Sequence, residues 1–147
     1  MSELLRSTSE QQTREAARSM ASSLQRGDVV ALYGELGAGK TQFVKGLCDG
    51  FRVRDAVTSP TFVILNRYSG VDGRNKEIFL FHFDLYRVQS AEEIYDLGYE
   101  EFLFGNGICV VEWAERLGTL LPSRRYDVKI AFGEGADERR ISIDRVE

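Results

Sequence analysis

Val29-Val30-Ala31-Leu32-Tyr33 is an unbroken apolar run of strand length. With no polar position in it, the run predicts a strand buried on both faces, as in a parallel sheet. Before it, Ala16, Ala17, Met20, Ala21 and Leu24 recur at helical spacing. They predict a helix from about Ser9 to Arg26, opened by a Ser9–Gln12 capping box and stopped at Gly27. After it, Phe43, Val44, Leu47 and Cys48 share one helical face between Thr41 and Asp49, with Gly50 as terminator. Phe62 to Tyr68 and Glu77 to Asp84 read as the strands of a hairpin around the turn-rich Gly70 to Asn75. Ser90-Ala91-Glu92-Glu93 is a second capping box, opening a helix that carries Ile94 and Leu97. Ile108 to Glu112 is another buried strand. Tyr126 to Phe132 and Arg140 to Ile143 read as an antiparallel pair across Gly133 to Asp137. The sum is a three-layer α/β fold on a mixed parallel and antiparallel sheet.

Composition narrows the class. The 147 residues, 43% of them hydrophobic with nine Phe, six Tyr and one Trp, suit one domain over residues 1–147 with one substantial core. No apolar run approaches the roughly 18–20 residues that span a bilayer, and the N-terminus has no apolar run of signal-peptide length. A cytoplasmic protein without a membrane span is expected. Cys48 and Cys109 belong to no CxxC pair and lie in apolar stretches, so buried thiols are expected rather than zinc ligands or a disulfide. A net charge of −4 and a pI of about 5.2 argue against a chain that grips nucleic acid unaided.

The strongest chemical signal is Gly34-Glu35-Leu36-Gly37-Ala38-Gly39-Lys40-Thr41. Glycines let the backbone bend around a phosphate, successive N–H groups form an anion nest, and the following helix adds its positive end. In such a loop Lys40 reaches the β- and γ-phosphates and Thr41 gives its hydroxyl to magnesium. The loop follows a buried strand and opens a helix, the context a P-loop requires, so the fold is expected to be P-loop NTPase-like with ATP and Mg²⁺ as cofactors.

A carboxylate is needed beside the metal, and two strands end in one. Glu112 is assigned to the magnesium shell and Asp84 to positioning or activating the attacking water, with a plain strand-end cap as the alternative for either. His82, the only histidine, reads first as a hydrogen-bonded structural residue and second as a base. Thr58-Ser59-Pro60-Thr61 is either a γ-phosphate sensor or an ordinary Ser-Pro turn. Trp113 is core or pocket. Arg124-Arg125 and Arg139-Arg140 are surface pairs, of which one could reach a phosphate.

Five blocks together resemble the bacterial TsaE (YjeE) family. They are Leu32 to Thr41, Val57 to Phe62, His82 to Arg87, Glu92-Glu93 with Leu97-Gly98-Tyr99, and Val110 to Trp113. The resemblance implies an ATPase, slow alone and partner-dependent, that supports threonylcarbamoyladenosine (t6A) formation next to the tRNA anticodon. It implies action on a TsaD–TsaB complex, resetting it between turnovers, with tRNA met only through that complex and the transfer itself made by TsaD. The chain alone is expected to be a monomer. By position, Gly34 and Gly37, Ala38, Gly39, Lys40, Thr41 and Gln42 hold phosphate, Thr41 and Glu112 hold magnesium, and Asp84, Thr61 and Trp113 serve the ATPase step. Arg140 is a candidate nucleotide contact, and residues near Ser9 to Thr13 approach the adenine. Glu35, Gln42 and Ala114 depart from the family's usual Asp, Thr and Pro.

Other classes remain. A small-molecule kinase shares the loop, but no Arg-rich lid insertion is visible. A GTPase would need an Asn/Thr-Lys-x-Asp element, and Asn75-Lys76-Glu77-Ile78 lacks the Asp. A binding module using ATP as a latch lies close to the family reading.

Overall fold

The computed structural model describes residues 2–57 and 65–147. In chain order these form β1 (Ser2–Ser7), α1 (Glu10–Ala21), β2 (Val29–Tyr33), α2 (Lys40–Gly50), β3 (Leu65–Val71), β4 (Glu77–Asp84), α3 (Ala91–Asp96), α4 (Tyr99–Leu103), β5 (Ile108–Glu112), β6 (Arg125–Phe132) and β7 (Arg139–Val146), with short 3₁₀ turns at Ala114–Arg116 and Gly118–Leu120. The strands make one sheet of order β1-β7-β6-β2-β5-β4-β3. Its centre is parallel, with β2 between β5 and β6 and β4 beside β5. Its flanks, β3 against β4 and β6-β7-β1, are antiparallel.

The two-faced burial expected of β2 is present. Val30 and Leu32 enter a core with Val110, Ile130 and, from α1 and α2, Ala17, Phe43 and Leu47. Val29 and Ala31 enter a second core with Val111, Ile94 and Leu103. Alternation of side chains across a strand divides one apolar run between two layers of cover. Both cysteines are buried and free. Among the described residues no helix is long and apolar enough to cross a membrane.

The α1 and α2 helices approach closely because α2 has glycine where it meets α1. A Cβ on Gly46 would lie 2.6 Å from Ala17 Cβ, and one on Gly50 would strike Ala21 Cβ. Four-residue spacing on both helices sets these small residues on facing stripes.

Several boundaries move. The α1 helix ends at Ala21, not near Arg26, because Ser22 turns its hydroxyl onto the Ser19 carbonyl at 2.8 Å, a bond that competes with helix continuation. Leu24 stays buried without being helical. Ser9 Oγ accepts from Gln12 N–H at 3.1 Å, while Gln12 Oε1 accepts from Thr8 N–H at 2.7 Å, one residue ahead of the cap. At α3 Ser90 makes no side-chain cap bond, and Glu93 accepts from Gln89 N–H at 2.7 Å, again one residue ahead of the cap. Gly50 lies inside α2 and Gly70 inside β3, where a Cβ would come 2.5 Å from the Phe51 carbonyl oxygen. Strands β6 and β7 both run longer than their patterns predict, and β1 and α4 were not foreseen.

Candidate functional site

The glycine-rich loop leaves the end of β2 and enters α2. A Cβ at Gly34 would stand 2.7 Å from the Ile130 carbonyl oxygen, so the loop begins where only hydrogen fits beside β6. Gly39, the residue before α2, has φ +109°, left-handed backbone that favours glycine. Ala38 N–H bonds the Glu35 carbonyl and Phe43 N–H the Gly39 carbonyl, both at 3.0 Å. The loop is thereby tightened against the start of a helix, where unpaired N–H groups and the helix dipole attract anions. The start of α1 lies behind it, since a Cβ at Gly39 would be 3.9 Å from Thr13 Cγ2.

Lys40 is only 5% exposed. Its ammonium donates to the Gly34 carbonyl and, at 3.1 Å, to that of Glu35, and lies 4.2 Å from the centre of the Trp113 ring. Burial lowers its pKa, opposed by Glu112, Glu115 and Asp84. Thr41 is the second residue of α2 and half-buried. Gln42 lines a polar groove with Arg14 and Asp49.

Asp84 and Glu112 are the last residues of β4 and β5 and are register partners. Period two places them on the face of Leu80 and Val110, the face α2 covers. Glu112 is 3% exposed. Burial, and then the Glu112 charge, push the Asp84 carboxyl upward, against a 3.0 Å hydrogen bond from Tyr86 N–H. Trp113 has φ +57°, an uncommon backbone for a bulky residue. Its ring sits 5.0 Å from that of Tyr86. Trp113 thus belongs to the loop's surroundings as well as to the second core.

Thr61, with the whole Thr58 to Thr61 segment, lies outside the described residues. Arg140 is exposed, 3.9 Å from Glu134. Its neighbour Arg139 is the residue at the loop: its Nε donates to the Ala38 carbonyl at 3.1 Å. Arg139 alternates with Ile141 onto the α2 side of the sheet, so Arg140 emerges on the other. Composition offered the pair, and the parity of Ile141 and Ile143 was the signal that separates them. His82 is fully buried and hydrogen-bonded, in line with its structural reading.

Among the described residues no group of three His, Cys, Asp or Glu is arranged to hold a metal. The donors near Lys40 are a Thr hydroxyl and carboxylates, hard oxygens suited to a magnesium ion that completes its shell with substrate oxygens and water.

A glycine loop between a buried parallel strand and a helix, with acids at two neighbouring strand ends, defines an α/β protein of P-loop NTPase-like fold. The family model for the threonylcarbamoyl adenosine biosynthesis protein TsaE matches residues 7–141. The tRNA threonylcarbamoyladenosine biosynthesis protein TsaE of Treponema pallidum is 44% identical over 117 residues, 80% of this chain and 81% of its own. That of Bacillus subtilis is 39% identical over 141 residues, 96% and 84% of the two chains. The crystal structure of Bacillus subtilis YdiB superposes with a TM-score of 0.83 at 33% identity, covering 100% of this chain and 87% of that one. The chain belongs to the TsaE family, whose members take part in threonylcarbamoyladenosine biosynthesis.

Proposed function

We propose that this chain is a cytoplasmic, magnesium-dependent ATPase, one domain acting as a monomer, that supports t6A modification of tRNA by acting on a TsaD–TsaB complex. The observation that carries the ATPase reading is the convergence of the Lys40 ammonium with Asp84 and Glu112 at the strand ends beside the loop. The family's role in t6A biosynthesis supports the partner reading, and with it the view that tRNA is met only through the complex.

In this reading Gly37, Ala38, Gly39 and the first turn of α2 receive phosphate oxygens through backbone N–H groups, and Gln42 borders that turn. Lys40 exchanges its bonds to the Gly34 and Glu35 carbonyls for phosphate oxygens. Thr41 and Glu112 hold the magnesium ion, which when bound neutralises phosphate charge and orients the transferred group. Asp84, with its pKa raised, accepts a hydrogen bond from the attacking water. Trp113, Tyr86 and the β4–β5 ends limit solvent around Lys40. Thr61 supplies a hydroxyl to the hydrolytic step, and Arg139, bonded to the Ala38 carbonyl, steadies the loop. Hydrolysis with no acceptor substrate does work only if it alters contacts with a partner, so slow turnover alone and a changed rate with the partners follow.

The test is ATP hydrolysis by the purified chain, alone and with TsaD and TsaB, with Lys40→Ala as control. The reading requires that partners change the rate and that Lys40→Ala lowers turnover by about 10²–10³, as removal of one transition-state donor does elsewhere. Turnover of tens per second by the isolated chain, typical of kinases, or partners without effect, would sink the partner-coupled model.

A further inference from the structure

Behind the proposed magnesium ligand lies a line of buried and half-buried polar side chains with no role in the mechanism above. His82 is 0% exposed, in the middle of the α2 face of β4. Its Nε2 meets Glu112 Oε2 at 2.5 Å. A carboxylate oxygen accepts, so Nε2 carries the donated hydrogen and Nδ1 is turned away. Tyr68, 4% exposed, places its hydroxyl 3.4 Å from Nδ1, and Asn66 Nδ2 donates to that hydroxyl at 3.3 Å. The line crosses three neighbouring strands: β3 carries Asn66 and Tyr68, β4 carries His82, and β5 carries Glu112.

We infer that His82 is a positioning residue: it fixes the rotation of the Glu112 carboxylate, committing Oε2 and leaving Oε1 to the divalent cation. The inference rests on the proposed role of Glu112 as a magnesium ligand. A free glutamate has three side-chain torsions and a carboxylate that rotates broadly about its last bond. Presenting one chosen oxygen to a small ion with strict octahedral demands requires that freedom to be removed. A hydrogen bond from a buried imidazole removes it, and the Tyr68 hydroxyl in turn orients the ring. Outer-shell partners of metal ligands typically contribute 10–100-fold in metal affinity or activity. A helix-side cap or a solvent-facing histidine would hold nothing so closely, whereas here the two groups are excluded from water and have each other.

The test titrates magnesium against binding of a fluorescent ADP analogue to the full chain, comparing wild type with His82→Leu, His82→Gln and Tyr68→Phe, and repeats each nucleotide titration in EDTA. His82→Leu is expected to raise the magnesium midpoint about 10-fold or more while nucleotide affinity in EDTA stays unchanged. His82→Gln, which keeps a donor where Nε2 stood, is expected to recover most of the shift. Tyr68→Phe, which leaves Glu112 its His82 partner and removes the hydroxyl that His82 Nδ1 and Asn66 Nδ2 meet, is expected to give a smaller rise and keeps the test available if His82→Leu fails to fold. A folded His82→Leu with the wild-type midpoint overturns the inference, as does a loss of nucleotide affinity equal with and without magnesium. If His82→Leu does not fold, a wild-type midpoint in Tyr68→Phe overturns it. Wild-type binding indifferent to magnesium overturns the underlying assignment of Glu112 as well.

Discussion

The ammonium of Lys40 lies 4.2 Å from the centre of the Trp113 ring, in a pocket the loop's own carbonyls help to close. A cation over an indole face is held by about 0.5–2 kcal/mol, the upper end where water is excluded. Trp113 reaches this place by a left-handed backbone directly after Glu112, so the strand-end acid and the ring over the lysine are set by consecutive residues.

Trp113 is the only tryptophan, and with the Lys40 ammonium 4.2 Å from its ring centre its emission is sensitive to that charge. Adding ATP with magnesium is expected to change the emission of the wild-type chain as the ammonium moves to phosphate. Lys40→Met is expected to shift the resting spectrum and to lose the response. Identical spectra for the two proteins would separate the ring from the lysine.

Arg139 rather than Arg140 should matter to nucleotide binding. Arg139→Ala removes the donor that holds the Ala38 carbonyl and is expected to weaken nucleotide affinity about fivefold, the effect of a hydrogen bond of roughly 1 kcal/mol. Arg140→Ala, losing only a 3.9 Å pair on the surface, is expected to stay within about twofold. Equilibrium titration of both variants decides the order.

In the proposed mechanism Asp84 sets function against stability. Its pKa in the fold is raised, chiefly by burial. A raised carboxyl favours folding below its unfolded value and loses that favour as pH rises through the folded value, so at neutral pH the ionised Asp84 opposes folding. Asp84→Asn is expected to raise Tm at pH 7.5 by about 2–4 °C while abolishing hydrolysis. The gain should shrink as pH falls through the raised folded value and be gone below the ordinary carboxyl value of 3.8. Thermal denaturation of both proteins across pH checks the sign.

The α1–α2 contact admits no side chain at Gly46. Gly46→Val is expected to cost about 1–3 kcal/mol through overpacking and to be read as a lower urea midpoint with an unchanged m-value. Since α2 begins at Lys40, nucleotide affinity should fall with it.

Strands β2 and β5 were legible because burial on both faces leaves an uninterrupted apolar run, and β4 because a turn-rich segment before it marks the return strand of a hairpin. The loop was legible because its chemistry demands a fixed spacing. By contrast, β1 reads Ser-Glu-Leu-Leu-Arg-Ser, and its Leu4 is 77% exposed. An edge strand paired on one side needs no alternating pattern, and only its partner β7 shows that it is a strand. The bond between His82 and Glu112 was hidden for the same reason: 30 residues separate them in the chain, and only the parallel pairing of β4 with β5 brings them together. The choice between Arg139 and Arg140 depended on register, which composition does not carry.

The pairing of β1 with β7 joins positions as far apart as Ser2 and Asp144. Of the described strands β1 is made first and its hydrogen-bonding partner last. The central parallel strands and the glycine-rich loop can assemble while β1 still lacks that partner, so closure of this edge is a late, long-range event. Until then the first strand of the chain is an unpaired edge, open to any other strand that meets it.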